Sequence, residues 1–112
     1  MPAICKGVEF DTIVREWRCK WSPEHDKAAL VALQQLLVEL APKIKAMPGV
    51  KGVTRTVCGG CMDFKVAVAV DAAKFAAWEG AHYAPEADFI KRMSAIKGVS
   101  VVETQTYTLM SV

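Results

Sequence analysis

Four consecutive residues, Cys58-Gly59-Gly60-Cys61, sit between two runs of strand-forming residues, and they constrain the fold of this chain more than any other stretch. Val53-Thr54-Arg55-Thr56-Val57 precedes them, and Met62-Asp63-Phe64-Lys65-Val66-Ala67-Val68-Ala69-Val70 follows. A type I′ turn needs φ > 0 at both central positions, so Gly-Gly between alternating segments reads as a two-residue β-hairpin. Such a turn sets Cys58 opposite Cys61, Thr56 opposite Asp63 and Thr54 opposite Lys65. On the other side it sets Val57 opposite Met62, Arg55 opposite Phe64 and Val53 opposite Val66. Side chains alternate between faces with period 2, so the Val/Met/Phe side is expected against the core and the cysteine pair on the opposite face with Asp63 and Lys65. Opposed hydrogen-bonded residues lie about 5.5 Å apart at Cα, inside the window of about 4.4–6.8 Å that a disulfide needs. The pair reads as a poised dithiol, a preformed disulfide, or half of a metal site.

The elements around the hairpin follow from periodicity. Ile13 to Trp21 alternates, with Trp17, Cys19 and Trp21 on one side and Glu16, Arg18 and Lys20 on the other, which is a strand. Ser22-Pro23-Glu24 is a helix start, with a hydroxyl cap, a proline in the first turn and an acid beside it. Leu30, Leu33, Leu37, Leu40, Ile44 and Met47 then step by three and four along one helical stripe. Pro42 within that stripe predicts a kink or a restart. Asp71 caps a second helical region in which Phe75 and Trp78 mark the apolar side. Gly80 and Pro85 interrupt it before Phe89, Met93 and Ile96. Ser100 to Leu109, rich in Val, Thr and Tyr, is a closing strand. Met47-Pro48-Gly49-Val50 and Ile96-Lys97-Gly98-Val99 are matching helix-to-strand joints.

The order β-α-β-β-α-β predicts an α+β, ferredoxin-like domain spanning residues 1–112, with residues 1–12 as an N-terminal extension. Right-handed crossovers would put the first and third strands side by side in the centre of a four-stranded antiparallel sheet, with the helices on one face. At 112 residues, 53% hydrophobic and 23% charged, the chain has the composition of one globular unit. A net charge of +2 gives no support for nucleic acid or an anionic membrane as partner. No apolar run approaches the ~20 residues of a spanning helix, and the first residues lack a secretory apolar region. A cytoplasmic location is therefore expected, where thiols are kept mostly reduced. There is no phosphate-binding glycine loop and no G-x-S-x-G, so nucleotide and serine-hydrolase chemistry have no support.

The string Phe75-x-x-Trp78-x-x-x-His82-x-x-Pro85-x-x-x-Phe89-Ile90, followed by the strand from Val102 to Tyr107, resembles the dimeric α+β barrel superfamily. Within it the chain is similar to the stress-responsive A/B barrel and antibiotic-biosynthesis monooxygenase-like groups. That resemblance implies a homodimer closed through its sheets. It also implies, for some members, cofactor-free chemistry on a small molecule held between helices and sheet, with a His or Tyr as acid/base. Arg18 and Cys19 stand where cyclase-like members carry a histidine near the start of the first strand, and the Cys-Gly-Gly-Cys hairpin is an addition to the pattern. Two functional readings follow. In the first, Cys58 and Cys61 are a redox dithiol or bind a soft metal ion such as zinc, with one thiolate attacking and the other resolving. In the second, His82 is an acid/base group beside a pocket walled by Trp78 and Tyr83, with Arg18 and Lys65 as polar ligand contacts. A homodimer is the expected partner state, with a small-molecule ligand and no resident cofactor identified.

Overall fold

The computed structural model describes all 112 residues. Strands β1 (Ala3–Cys5) and β2 (Val8–Glu9) form a small exposed ribbon ahead of the main body. The main body runs β3 (Thr12–Trp21), α1 (Glu24–Lys45), β4 (Val50–Cys58), β5 (Asp63–Asp71), α2 (Ala72–Gly80), α3 (Glu86–Ser94) and β6 (Val99–Leu109). The four long strands make one antiparallel sheet in the order β4-β5-β3-β6. The first and third strands of the repeat are therefore central neighbours, as a split βαβ arrangement requires.

Alternation decides what each strand offers to either face. Along β3, Trp17, Cys19 and Trp21 are buried against the helices, opposite Val66 and Phe64 of β5 in the case of Trp17 and Cys19. Phe64, Val66, Val68 and Val70 continue the same layer along β5. From α1 this layer receives Ala29, Leu33, Leu36, Leu37, Leu40 and Ile44, and from the later helices Phe75, Trp78, Phe89 and Met93. Leu30 and Met47, the two ends of the predicted stripe, are only half-buried, while Leu36 joins the core beside Leu37. Trp17, Phe64 and Phe89 are fully buried, and the Trp17 ring lies 4.9 Å from Phe89 and 6.4 Å from Trp78 between centroids. Aromatic side chains thus fill the space between sheet and helices.

Helix boundaries depart from expectation at two points. Ser22 Oγ does accept the Glu24 amide, 3.1 Å away, but His25, Asp26 and Lys27 then take left-handed φ values of 54°, 57° and 60° before regular helix resumes. The kink expected at Pro42 is absent, and α1 runs on to Lys45. Pro42 falls in the final turn on the exposed side, where losing one N–H donor disturbs little. Asp71 caps α2 as expected, its carboxylate accepting the Ala73 amide at 3.1 Å. The two matching joints turn alike: Gly49 and Gly98 have φ of +84° and +94°. A Cβ at Gly49 would collide with Lys74. Glycine is needed at both for the backbone conformation, and at Gly49 for the space as well.

A polar knot that the sequence pattern does not announce ties α3 to the sheet. Arg15 reaches from β3 beneath the helices and donates to Glu86 through Nε at 2.7 Å and through Nη2 at 3.3 Å. Trp17 Nε1 donates to the same Glu86 Oε1 at 2.7 Å, and Arg15 Nη1 donates to Thr106 Oγ1 at 2.8 Å. The guanidinium also stacks 4.1 Å above the Tyr83 ring. Both members of the ion pair are largely shielded, with side chains 14% and 17% exposed. Removing one partner would leave the other charge and an indole N–H without a mate. Glu86→Ala is expected to lower unfolding free energy by about 2–4 kcal/mol, read from urea denaturation, whereas Glu79→Ala on the exposed surface should cost under ~1 kcal/mol.

Candidate functional site at the hairpin tip

The β4–β5 turn is longer than a two-residue hairpin. Val57 pairs with Phe64 and Cys58 with Asp63, so the loop comprises the four residues Gly59, Gly60, Cys61 and Met62. The predicted pairings of Cys58 with Cys61, Val57 with Met62 and Arg55 with Phe64 are corrected accordingly. The left-handed position falls on Met62, with φ of 59°, and on neither glycine. The correction moves the register by two residues, so every side chain still paired in the two strands keeps its predicted face. Cys58 and Cys61 now span a four-residue turn, with Cα atoms 5.6 Å apart and sulfurs at disulfide distance. The Cys61 amide donates to Cys58 Sγ at 3.2 Å.

The end of β3 clamps this loop. Lys20 Nζ donates to the Cys61 carbonyl at 2.9 Å and forms an ion pair with Asp63 at 2.6 Å. The Trp21 amide donates to the Met62 carbonyl at 3.0 Å, and its indole N–H to the Asp63 carbonyl at 3.1 Å. Cys61 Sγ lies 3.2 Å from Asp63 Oδ2. The Lys20 hydrogen bond holds the Asp63 carboxyl below the usual carboxylate range; partial burial opposes this, and the charges of Lys20, Lys65 and Arg18 reinforce it.

Behind the loop, the face of the sheet away from the helices carries a polar cavity of about 200 Å³. Arg18, Lys20, Asp63 and Lys65 line it together with Val101 and Glu103. A register shift in β6 opposite Arg18–Lys20, with Val101 at φ of 51°, opens its far wall. Arg18 and Lys65 are direct cross-strand partners, a like-charge pairing that costs stability unless anions offset it. Arg18 has two distant carboxylates, Glu16 at 3.6 Å and Glu103 at 3.8 Å, while Lys65 has no ion pair. Further along this face Glu16 is buried and accepts the Tyr107 hydroxyl at 3.1 Å. Burial, followed by the Glu16 charge, pushes the Tyr107 hydroxyl above its ordinary range.

The candidate residues thus separate into two layers. Cys58, Cys61, Arg18 and Lys65 share the open face. Trp78, Tyr83 and His82 belong to the helix layer. Trp78 is buried and donates its indole N–H to the Ala84 carbonyl at 3.0 Å. Tyr83 donates its hydroxyl to Glu79 at 3.1 Å. His82 is exposed in the turn after α2, with φ of 57° and its amide bonded to the Glu79 carbonyl. The neighbouring cleft, about 260 Å³, is lined by Met47, Pro48, Lys74, Ala77, Trp78, Ala81 and Ala84, without His82. No three His, Cys, Asp or Glu side chains are gathered to hold a metal ion, and no helix is long and apolar enough to cross a membrane. Glu103, Val101 and Glu86 were not singled out by sequence. Glu103 has only its place in the alternation of β6 to reveal it, and Glu86 has no sequence signal at all.

No family model matches the sequence, and no curated protein matches it. Solved structures do. A candidate antibiotic biosynthesis monooxygenase from Deinococcus radiodurans aligns over 89% of this chain and 94% of its own, with TM-score 0.64 and 18% identity. SnoaB, a cofactor-independent oxygenase from Streptomyces nogalater, aligns over 91% and 96% with TM-score 0.59 and 16% identity. Rv0793 from Mycobacterium tuberculosis aligns over 89% and 96% with TM-score 0.61 and 12% identity. This chain has the ferredoxin-like α+β fold of the antibiotic biosynthesis monooxygenases. At these identities the fold is what is shared, and the resemblance read from the element order and the aromatic string is borne out at that level.

The chain has two further cysteines. Cys5 is exposed, and Cys19 is buried on the helix side. Burial, followed by the Asp63 charge, pushes the Cys19 thiol up to about 11 from its ordinary 9.0. Its folded pKa is raised, so its contribution to stability is complete below the unfolded value and is lost as pH rises through the folded one. Stability should therefore decline between about pH 9 and 11. In Cys19→Ala this part of the decline should vanish, as urea midpoints across that range would show. In native reduced protein at pH 8, a thiol reagent should label the exposed Cys5 rapidly and the buried Cys19 only on unfolding.

Proposed function

We propose that this protein is a thiol–disulfide module built on a dimeric α+β barrel, with Cys58 and Cys61 as its reversible couple. The observation that carries the reading is the cysteine pair itself, at disulfide distance in an exposed loop and bordered by the Lys20–Asp63 ion pair. Reduced, the pair would reduce a substrate disulfide. Two electrons pass to the substrate, its S–S bond breaks to give two thiols, and the Cys58–Cys61 bond forms. A cytoplasmic setting would return the pair to the dithiol through the cellular thiol pool. Exposure of the loop suits such exchange, because attack must be in line with the sulfurs and needs access.

The open face supports the dimer. Ala67, Ala69, Tyr107 and Leu109 bring apolar surface to it around the buried Glu16. A second copy laid on this face would bury that surface while leaving the hairpin tip at the rim. Lys65 and Arg18, on the floor beside the tip, suit an anionic group on the substrate, since an anion there relieves their like-charge pairing. The second reading, a small-molecule binder or cofactor-free enzyme, is favoured by the same cavity and by the fold shared with a cofactor-independent oxygenase. His82 would serve it only from the exposed turn, because the interior between helices and sheet is filled by Trp17, Trp78 and Phe89.

Equilibration in glutathione redox buffers tests the first reading. The pair should interconvert as a single two-electron couple, with Cys58 and Cys61 thiols appearing together by alkylation and mass measurement. Cys58→Ser or Cys61→Ser should abolish the couple. If Cys58→Ser leaves Cys61 reactivity unchanged and the wild type shows no couple, the thiol reading fails and the binding reading takes its place. Lys65→Glu should slow oxidation by the anionic oxidised glutathione roughly two- to fivefold, the rate equivalent of the ~0.5–1 kcal/mol of an exposed charge contact. It should leave oxidation by the neutral hydroxyethyl disulfide unchanged. Light scattering at micromolar concentration should give twice the chain mass; the mass of one chain would refute the dimer.

A further inference from the structure

Resting on the thiol reading, we infer that the two cysteines have fixed and unequal roles: Cys58 attacks the substrate disulfide, and Cys61, held by Asp63, resolves the intermediate. The contacts of the two sulfurs differ in kind. Cys58 Sγ accepts the Cys61 amide N–H at 3.2 Å, a donor that stabilises negative charge on that sulfur. Cys61 Sγ faces a carboxylate oxygen, Asp63 Oδ2, at 3.2 Å. A carboxylate beside a sulfur favours the thiol, which can donate S–H to it, and disfavours the thiolate, which it repels. Lys20 locks this arrangement from β3, since its ammonium holds Asp63 at 2.6 Å and the Cys61 carbonyl at 2.9 Å. The other charges facing the loop are Arg18 from β3, Lys65 from β5 and Glu103 from β6. Arg18 is spread between Glu16 and Glu103, and none of the three is in the short contacts that distinguish one sulfur from the other.

The sequence of bonds follows. The Cys58 thiolate attacks one sulfur of the substrate disulfide, forming a Cys58–substrate mixed disulfide and releasing the first substrate thiolate. Cys61 then attacks Cys58 Sγ; its proton passes by way of Asp63 to the departing second substrate sulfur. The Cys58–Cys61 bond is made, the mixed disulfide is broken, and the substrate leaves as one thiolate and one thiol. Asp63 touches the reacting sulfur, so it is part of this machinery, while Lys20 acts through Asp63 and is a positioning residue. The four-residue loop is what makes the asymmetry. In a two-residue turn the cysteines would face each other as equivalent strand partners, with Asp63 further along the strand.

Single-cysteine trapping distinguishes the roles. Reduced Cys61→Ser and Cys58→Ser variants, each also carrying Cys5→Ser, are mixed with hydroxyethyl disulfide at pH 7 and the mixed disulfide is followed by mass. The expected result is fast trapping on Cys58 in the first variant and at least ~10-fold slower trapping on Cys61 in the second, because an amide N–H faces the Cys58 sulfur and a carboxylate the Cys61 sulfur. Adding Asp63→Asn to the second should speed trapping on Cys61 and shift its pH–rate profile to lower pH. Lys20→Met should alter that profile without changing the mass added on trapping. Faster trapping on Cys61 than on Cys58, or a Cys61 profile unmoved by Asp63→Asn, overturns the assignment of roles. If the wild-type pair shows no redox couple in glutathione buffers, the thiol reading itself falls, an outcome separate from reversed roles.

Discussion

Everything in this fold hangs on the alternation of β3 at the centre of the sheet. Its odd-numbered side chains Trp17, Cys19 and Trp21 enter the core beneath the helices, while its even-numbered Glu16, Arg18 and Lys20 stand on the far face. A slip of one residue against either neighbour would bury Arg18 and expose Trp17, so the register of β3 with β5 and β6 is strongly specified. That one strand thereby supplies the anchor of the hydrophobic layer, the floor of the polar cavity and the lysine that clamps the hairpin tip. Structure and candidate chemistry share a backbone but occupy opposite sides of it.

The two sides are filled differently, and this directs where function can reside. Between helices and sheet, aromatic rings pack at 4.9–6.4 Å centroid spacing, and the polar groups that enter, Arg15 and Glu86, satisfy one another and the Trp17 indole. On the open face the balance is reversed. Like charges are paired across strands, Lys65 has no ion-pair partner, and a bulged β6 leaves room. A face of this kind accepts an anion or a second polypeptide at lower cost than it accepts water alone, because either relieves repulsion or covers apolar neighbours. The cysteine loop projects at one end of that face, close to the charges and clear of the core.

Much of this arrangement was legible from residue order alone. Alternation in 13–21 and 62–70, the three-and-four stepping from Leu30 to Ile44, the Asp71 cap and the paired glycine joints specify element types through local periodicities of 2 and 3.6 residues, and right-handed connection rules then leave one strand order. Parity alone also assigned the cysteine pair, Asp63, Lys65, Arg18 and Lys20 to a common face, an assignment that survived the corrected turn because the register moved by an even number. What sequence could not supply was the length of that turn. Gly-Gly satisfies a two-residue I′ turn and a four-residue loop equally well locally. The choice is made by Lys20 and Trp21, more than forty residues upstream, which bond to Cys61, Met62 and Asp63. Only tertiary structure could likewise bring Arg15 to Glu86 and separate His82 from Arg18 and Lys65. Local periodicity fixes which way a side chain points; which distant group it meets depends on chain segments that no local pattern encodes.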